Sequence, residues 1–189
     1  MGLIQEIFGA KDTPENPAQN IINTIVLSLP AEIKDPVLKR LPNAKMTYNV
    51  LESLFKSATS SIKIFSPFVD PTFTNLSQIA KCPIRAITTS IESRYQKGNA
   101  VLERCALHNN LLVKYMIQKQ GKNQMFQIHA KMILCDNKLA YVGSANLTDT
   151  SIHYNFELGL FVTDKPTIES LTKLFDYLFE NVAVPRNLL

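Results

Sequence analysis

His129 and Lys131 stand two residues apart in "QIHAKMILCDNKLAYVGSANLT", residues 127–148. In an extended strand, residues two apart project from the same face. The imidazole and the ammonium therefore point into one site, while Ile128, Met132 and Leu134 serve the core. An imidazole is a nucleophile or proton carrier near neutral pH, and an ammonium beside it fixes an anion. Asp136 and Asn137 form a turn-prone pair, so "KLAYVG" is expected to return antiparallel and bring "GSAN" to the histidine. There Gly143 lets backbone approach a ligand, Ser144 offers a hydroxyl, and Asn146 offers an amide that can donate to an oxyanion. Asn155 and Glu157 again share a strand face, and a carboxylate beside an imidazole would orient it and favour its cationic form. The set is a histidine with an orienting acid, plus one cationic donor and neutral donors suited to an anion such as phosphate.

The pattern H-x-K-x4-D, then G-S-x-N and a later Glu, resembles the HKD motif of the phospholipase D superfamily. Here it comprises His129, Lys131 and Asp136, with Ser144, Asn146 and Glu157 lying 15, 17 and 28 residues after the histidine. The bare H-x-K-x4-D string would arise by chance in roughly one chain in a hundred of this length, and the downstream residues make chance a poor explanation. One copy of the motif is visible. This resembles the single-motif members, the bacterial endonuclease Nuc group and the catalytic part of the metal-independent restriction enzyme BfiI, which build one site from two subunits. The resemblance implies a homodimer. It also implies that one His129 attacks phosphorus to form a phosphohistidine, while the partner's His129 protonates the leaving oxygen. Lys131, Ser144 and Asn146 would hold the phosphate. Glu157 is the candidate to orient His129, and Asp136, assigned to the catalytic set by the motif, is as easily a turn residue supporting the site. No metal or other cofactor is implied, because the lysine supplies positive charge and no cluster of ligands stands at metal spacing.

The elements that must position this site follow from periodicity. "TYNVLESLFKSA" has the spacing of a helix packed on a sheet, and "SIKIFSPFV" reads as a strand in which Ile62 and Ile64 alternate with polar or outward positions until Pro67. "IRAITT", "LLVKYMI" and "FELGLFV" are further strands. "SRYQKGNAVLERCALH" and "TIESLTKLFDYLFE" are helical. Strands alternating with helices, then meeting through tight turns, indicate an α/β sandwich with a mixed β-sheet, and the resemblance implies its phospholipase D-like α/β/α form over residues 45–189. Residues 1–44 are read as a helical N-terminal extension. "QNIINTIVLSLP" is taken as an apolar helix ended by Pro30, and a second short helix follows to about Pro42. The extension is a possible docking point for a protein partner.

Composition bounds the rest. The chain has 189 residues, 46% of them hydrophobic, and no segment approaching the roughly 20 apolar residues of a membrane span. No transmembrane segment or basic signal-peptide start is read, and a cytoplasmic location is the expectation. Cys82, Cys105 and Cys135 are odd in number and widely spaced, which suggests buried free thiols rather than a disulfide framework. The net charge of +4 suits an anionic partner without demanding one. Arg94, Lys97 and Arg104 read either as a wall of a substrate groove or as a solvated helix face. Lys114, Lys119 and Lys122 are candidate contacts to a nucleic-acid backbone. His108 and His153 have no matching companions and read as structural or exposed.

Three functions fit. The first is a metal-independent nuclease hydrolysing DNA or RNA, suggested by the single motif, the basic charge and the short core. The second is a phospholipid phosphodiesterase or phosphatidyltransferase with a cardiolipin-type substrate. The third is a catalytically vestigial nucleic-acid-binding subunit of a defence complex, although no motif residue is missing.

Overall fold

The computed structural model describes residues 23–89, 101–102, 105–106, 110–120 and 123–185. The elements bounded within the described residues include ten strands and four α-helices: β1 (Thr24–Ser28), α1 (Ala31–Arg40), β2 (Lys45–Met46), α2 (Thr47–Ser57), β3 (Ile62–Phe65), α3 (Pro71–Ile79), β4 (Ile84–Thr88), β5 (Leu111–Tyr115), β6 (Ile117–Gln120), β7 (Asn123–Gln127), β8 (Lys131–Cys135), β9 (Leu139–Gly143), β10 (Glu157–Val162) and α4 (Lys165–Asn181). Eight strands make one mixed sheet in the order β2-β1-β10-β9-β8-β3-β4-β5, and β6 and β7 pair separately.

Both faces of the central sheet are covered, so its strands bury alternate residues in two different cores. On one side Ile62, Ile64, Ile133, Tyr141 and Phe161 pack with Leu51, Phe55 and Phe73 of α2 and α3. On the other, Phe65, Met132, Leu134 and Val162 pack with Phe175 and Phe179 of α4. The layering is the predicted α/β/α sandwich. The three cysteines Cys82, Cys105 and Cys135 are free and buried.

Two expectations are corrected. The stretch taken as a helix before Pro30 contains β1, which lies between β2 and β10 and pairs antiparallel from Thr24↔Phe161 to Ser28↔Glu157. Residues 24–28 are thus part of the sheet that carries the motif rather than of a helical extension. The consecutive residues Val26 and Leu27 are buried on opposite faces of the sheet, so the strand reads as a short apolar run, which carries no period to separate it from a helix. The second expected helix is present as α1, in which no residue is buried.

Lys63, between the core residues Ile62 and Ile64, does not point outward. Its side chain is 3% exposed beneath α4, with Nζ 2.8 Å from Asp176 and 5.9 Å from the centre of the Phe175 ring. Arg85 of the neighbouring strand reaches the other Asp176 oxygen at 2.9 Å and lies over the Phe175 and Phe179 rings. Lys114 donates to the Phe179 carbonyl at 2.6 Å and stands 4.0 Å from Glu180. This cationic row fastens α4 to the sheet. Lys114, expected as a nucleic-acid contact, is thereby committed to the end of α4.

The turn joining β8 to β9 also behaves as the sequence suggests, with Asp136 and Asn137 both at positive φ, 53° and 52°. The Asp136 carboxylate does more than shape the turn. It accepts from the backbone N–H groups of Thr59, Ser60 and Ser61 and from the Thr59 and Ser60 hydroxyls, at 2.8 to 3.2 Å. Partial burial alone would raise its pKa, but the backbone N–H groups of Ser61, Thr59 and Ser60 and the Ser60 hydroxyl hold it down at about 2. A carboxyl depressed in the folded state stabilises fully above its ordinary value of 3.8, and that stability is lost as pH falls through about 2. We expect Asp136→Asn to cost roughly 1–2 kcal/mol at pH 7, after allowance for partial exposure. In urea melts, the gap from wild type should narrow as pH falls from 5 towards 2. A gap independent of pH would contradict this role.

Candidate active site

The reacting groups meet where β8 begins. His129 lies just before the strand and is exposed, whereas Lys131, its first residue, is 7% exposed. The Lys131 Nζ stands 3.1 and 3.2 Å from the two ring nitrogens of His129. An ammonium has donors only, so this contact suits a neutral imidazole, the form able to act as a nucleophile. Burial lowers the Lys131 pKa, and the negative charge of Glu157 opposes that shift.

Across the sheet, Lys131 is registered with Gly143 of β9, and Gly143 with Gly159 of β10. After Gly143 the chain turns away from the sheet through Ser144, Ala145 and Asn146. This loop is clamped at its far end. Leu147 donates to the Ser66 hydroxyl at 3.2 Å, Asp70 N–H donates to the Leu147 carbonyl at 3.1 Å, and Asp149 N–H donates to the Asp70 carboxylate at 2.7 Å. The other Asp70 oxygen caps α3 through Thr72 N–H at 2.8 Å. The segment between β3 and α3 is therefore the support on which the Ser144–Asn146 loop rests. Asn146 Oδ1 is buried and has no hydrogen-bond partner among the described residues.

Glu157 differs from its expected role. One carboxylate oxygen accepts from the Ser144 hydroxyl at 2.5 Å and the other from the Asn155 amide at 3.1 Å. Ser144 Oγ also accepts from Leu158 N–H at 3.1 Å. Among the described residues the carboxylate is thus bonded to Ser144 and Asn155 rather than to His129, and its charge bears on Lys131. Asn155 is delivered by a π-helical turn, Thr150–Tyr154, closed by Asn155 N–H donating to the Thr150 carbonyl at 2.9 Å. Such wide turns recur at functional sites.

The structure brings His129, Lys131, Ser144, Asn146 and Glu157 to one end of strands β8, β9 and β10. Asp136 lies at the opposite end of β8, about 17 Å away along the strand, and supports the fold rather than touching the site. Arg94, Lys97, Arg104 and Lys122 lie outside the described residues, as does the Lys119 side chain. Ser66, Asp70 and Asn155 were not selected from sequence as site residues. The Asp70-Pro71 pair is a helix-start signal that could have marked the first two as an ordered support. His153 contacts the Tyr48 ring at 5.1 Å and Asp149 at 3.9 Å, half-exposed and apart from the motif residues.

The two-sided sandwich with a histidine and a desolvated lysine at one strand end is the architecture of a phospholipase D-like domain. The family model described as "Cardiolipin synthase, PLD-like domain" matches residues 51–179, and the chain belongs to that family. It is similar to the cardiolipin synthase of Halalkalibacterium halodurans, 28% identical over 134 residues, covering 68% of this chain and 26% of that protein. It is also similar to cardiolipin synthase 2 of Staphylococcus epidermidis, 26% identical over 123 residues, covering 65% and 25% respectively. The chain thus spans about a quarter of the length of these curated relatives. Among solved structures, NucT from Helicobacter pylori aligns with a TM-score of 0.65 at 21% identity, covering 87% of this chain and 99% of that one. The phospholipase D family member Nuc from Salmonella typhimurium aligns at 0.62 and 17%, covering 86% and 97%. These likenesses establish the fold. Members of the superfamily cleave or transfer phosphodiesters.

Proposed function

We propose that the chain is a metal-independent nuclease, hydrolysing DNA or RNA through a phosphohistidine at a homodimer interface. The observation that carries phosphodiester chemistry is the neutral-compatible contact between His129 and the desolvated Lys131, beside the Ser144–Asn146 loop. The choice of nucleic acid is supported by the single motif and by the fold shared with NucT and Nuc, at TM-scores of 0.65 and 0.62.

In the reaction, one His129 ring nitrogen attacks phosphorus and the bond to the leaving oxygen breaks. The partner subunit's His129, starting as imidazolium, gives that oxygen its proton. The partner subunit's His129 then takes a proton from water as the water displaces the first imidazole, which returns both histidines to their starting states. Lys131 and the Asn146 amide stabilise the nonbridging oxygens as charge redistributes. Two coupled histidines of opposite protonation give a bell-shaped pH profile whose limbs belong to the pair.

A surface beside His129 supports the dimer. The hollow at His129, of about 490 Å³, is walled by Phe65, Val142, Leu171 and Leu174. Val142 is registered with Leu160, and Leu160 with Ile25. Ile25, Phe156, Leu158, Leu160 and Leu174 are between 38% and 60% exposed. An apolar strip of this kind, continuous with a catalytic group, suits a self-complementary twofold contact.

The same strip, with the cardiolipin synthase relatives, favours a second reading, a phospholipid substrate. Incubation with labelled single- and double-stranded DNA and RNA, and separately with phosphatidylglycerol and cardiolipin vesicles, all in excess EDTA, separates the two. The nuclease reading expects nucleic-acid cleavage, falling steeply with salt. Turnover of lipid alone would replace it, and activity restored only by a divalent ion would remove the mechanism.

A further inference from the structure

Tyr141 is fully buried, yet it carries a hydroxyl into the support of the site. Its place on β9 follows from two missing side chains. Gly143 and Gly159 face each other on β9 and β10, and a Cβ built on either one would collide with Tyr141: its hydroxyl at Gly143, its ring and hydroxyl at Gly159. The ring therefore lies over the same row of the sheet that begins with Lys131, in a slot that only paired glycines leave open. At the end of that slot the phenol oxygen accepts the N–H of Ala145, the residue between Ser144 and Asn146, at 3.4 Å. Burial, with the nearby charge of Glu157 acting in the same direction against the Ala145 hydrogen bond, pushes the phenol up to about 12, so it stays protonated through any working pH.

From this geometry we infer that Tyr141 is a positioning residue for the reaction, setting the height of the Ser144–Asn146 loop above Lys131 through the Ala145 N–H. The inference rests on the reading of this site as one that binds and cleaves a phosphodiester. Three supports then fix the loop: Glu157 and Leu158 hold its start through Ser144, Ser66 and Asp70 hold its far end, and Tyr141 holds its middle. A phenylalanine fills the same slot but leaves the Ala145 N–H without its acceptor. It frees the loop where the amide of Asn146 must meet an oxygen whose charge grows only in the transition state.

The test is Tyr141→Phe in the full chain, with three readouts: steady-state hydrolysis of a chromogenic phosphodiester, binding of inorganic phosphate by calorimetry, and thermal melting. We expect kcat to fall about tenfold with KM within about twofold. The phosphate dissociation constant should rise about fivefold, while the melting temperature moves by no more than about 4 °C. Wild-type kcat and phosphate affinity in Tyr141→Phe would overturn the inference. So would a loss of activity matched by an equal loss of folded protein, which marks a structural role only. If the wild-type protein cleaves no phosphodiester, the proposed function fails, and the ratio of phosphate affinities still decides whether Tyr141 sets the loop.

Discussion

His129→Ala is expected to lower kcat by more than about a thousandfold, because under the proposed mechanism it removes both the nucleophile and the proton donor of a site shared by two subunits. The melting temperature should stay within about 2 °C of wild type, since His129 is exposed and the polar contact of its ring among the described residues is with Lys131. The same variant measures subunit sharing. When wild-type and His129→Ala protein are mixed in equal amounts and allowed to exchange, a site needing both imidazoles retains roughly a quarter of wild-type activity, and independent sites retain roughly half. Retention of half would show that each subunit works alone. Residual activity above about a tenth in the pure variant would remove His129 from the chemistry.

The largest stability effect is expected at Asp176. Lys63 is almost wholly buried between β3 and α4, and Asp176 is the anion within its reach. Asp176→Ala leaves that ammonium with the Phe175 ring and, among the described residues, no ion-pair partner, and it removes one of the two carboxylates that Arg85 meets, the other being Glu180 at 3.5 Å. Stranding one buried charge costs about 3–5 kcal/mol, whereas replacing both partners by apolar groups is often nearly neutral. We therefore expect Asp176→Ala to lower the melting temperature by about 6–15 °C, and Lys63→Met with Asp176→Leu to recover most of that loss. A double variant as unstable as the single one would mean that α4 is held by charge and not by packing. Because α4 also walls the hollow at His129 through Leu171 and Leu174, activity should follow stability in this series.

Much of this architecture is legible in the sequence where periodicity meets a single packing partner. α2 and α4 are amphipathic because each covers one sheet face, and β8, its tight turn and β9 follow from Asp136-Asn137 between two apolar runs. His129, Lys131, Ser144 and Asn146 were legible as a constellation because their spacing reflects strand geometry and a short return. β1 was illegible as a strand because "TIVLS" buries successive residues on both faces and has no clean alternation. Lys63 was read as outward because a lysine inside an apolar strand gives no sign of an aspartate 113 residues later. A separation of 75 to 77 residues likewise hides the link from Asp136 to Thr59, Ser60 and Ser61, which makes the motif's aspartate a latch between β8 and the start of β3. Glu157 was placed on the correct face, but its two hydrogen-bond partners depend on how the π-helical turn brings Asn155 back. Tyr141 reads as an ordinary aromatic of a strand until the two glycines are seen side by side.

The central claim is that His129 forms a covalent bond to phosphorus without a metal. Its most direct test is an acid-free quench of wild-type protein turning over an internally 32P-labelled oligonucleotide in excess EDTA, followed by peptide mapping. The account predicts label on the peptide containing His129, stable in alkali, released by acid and absent from His129→Ala. Turnover without any protein-bound label, or label on another residue, would contradict it.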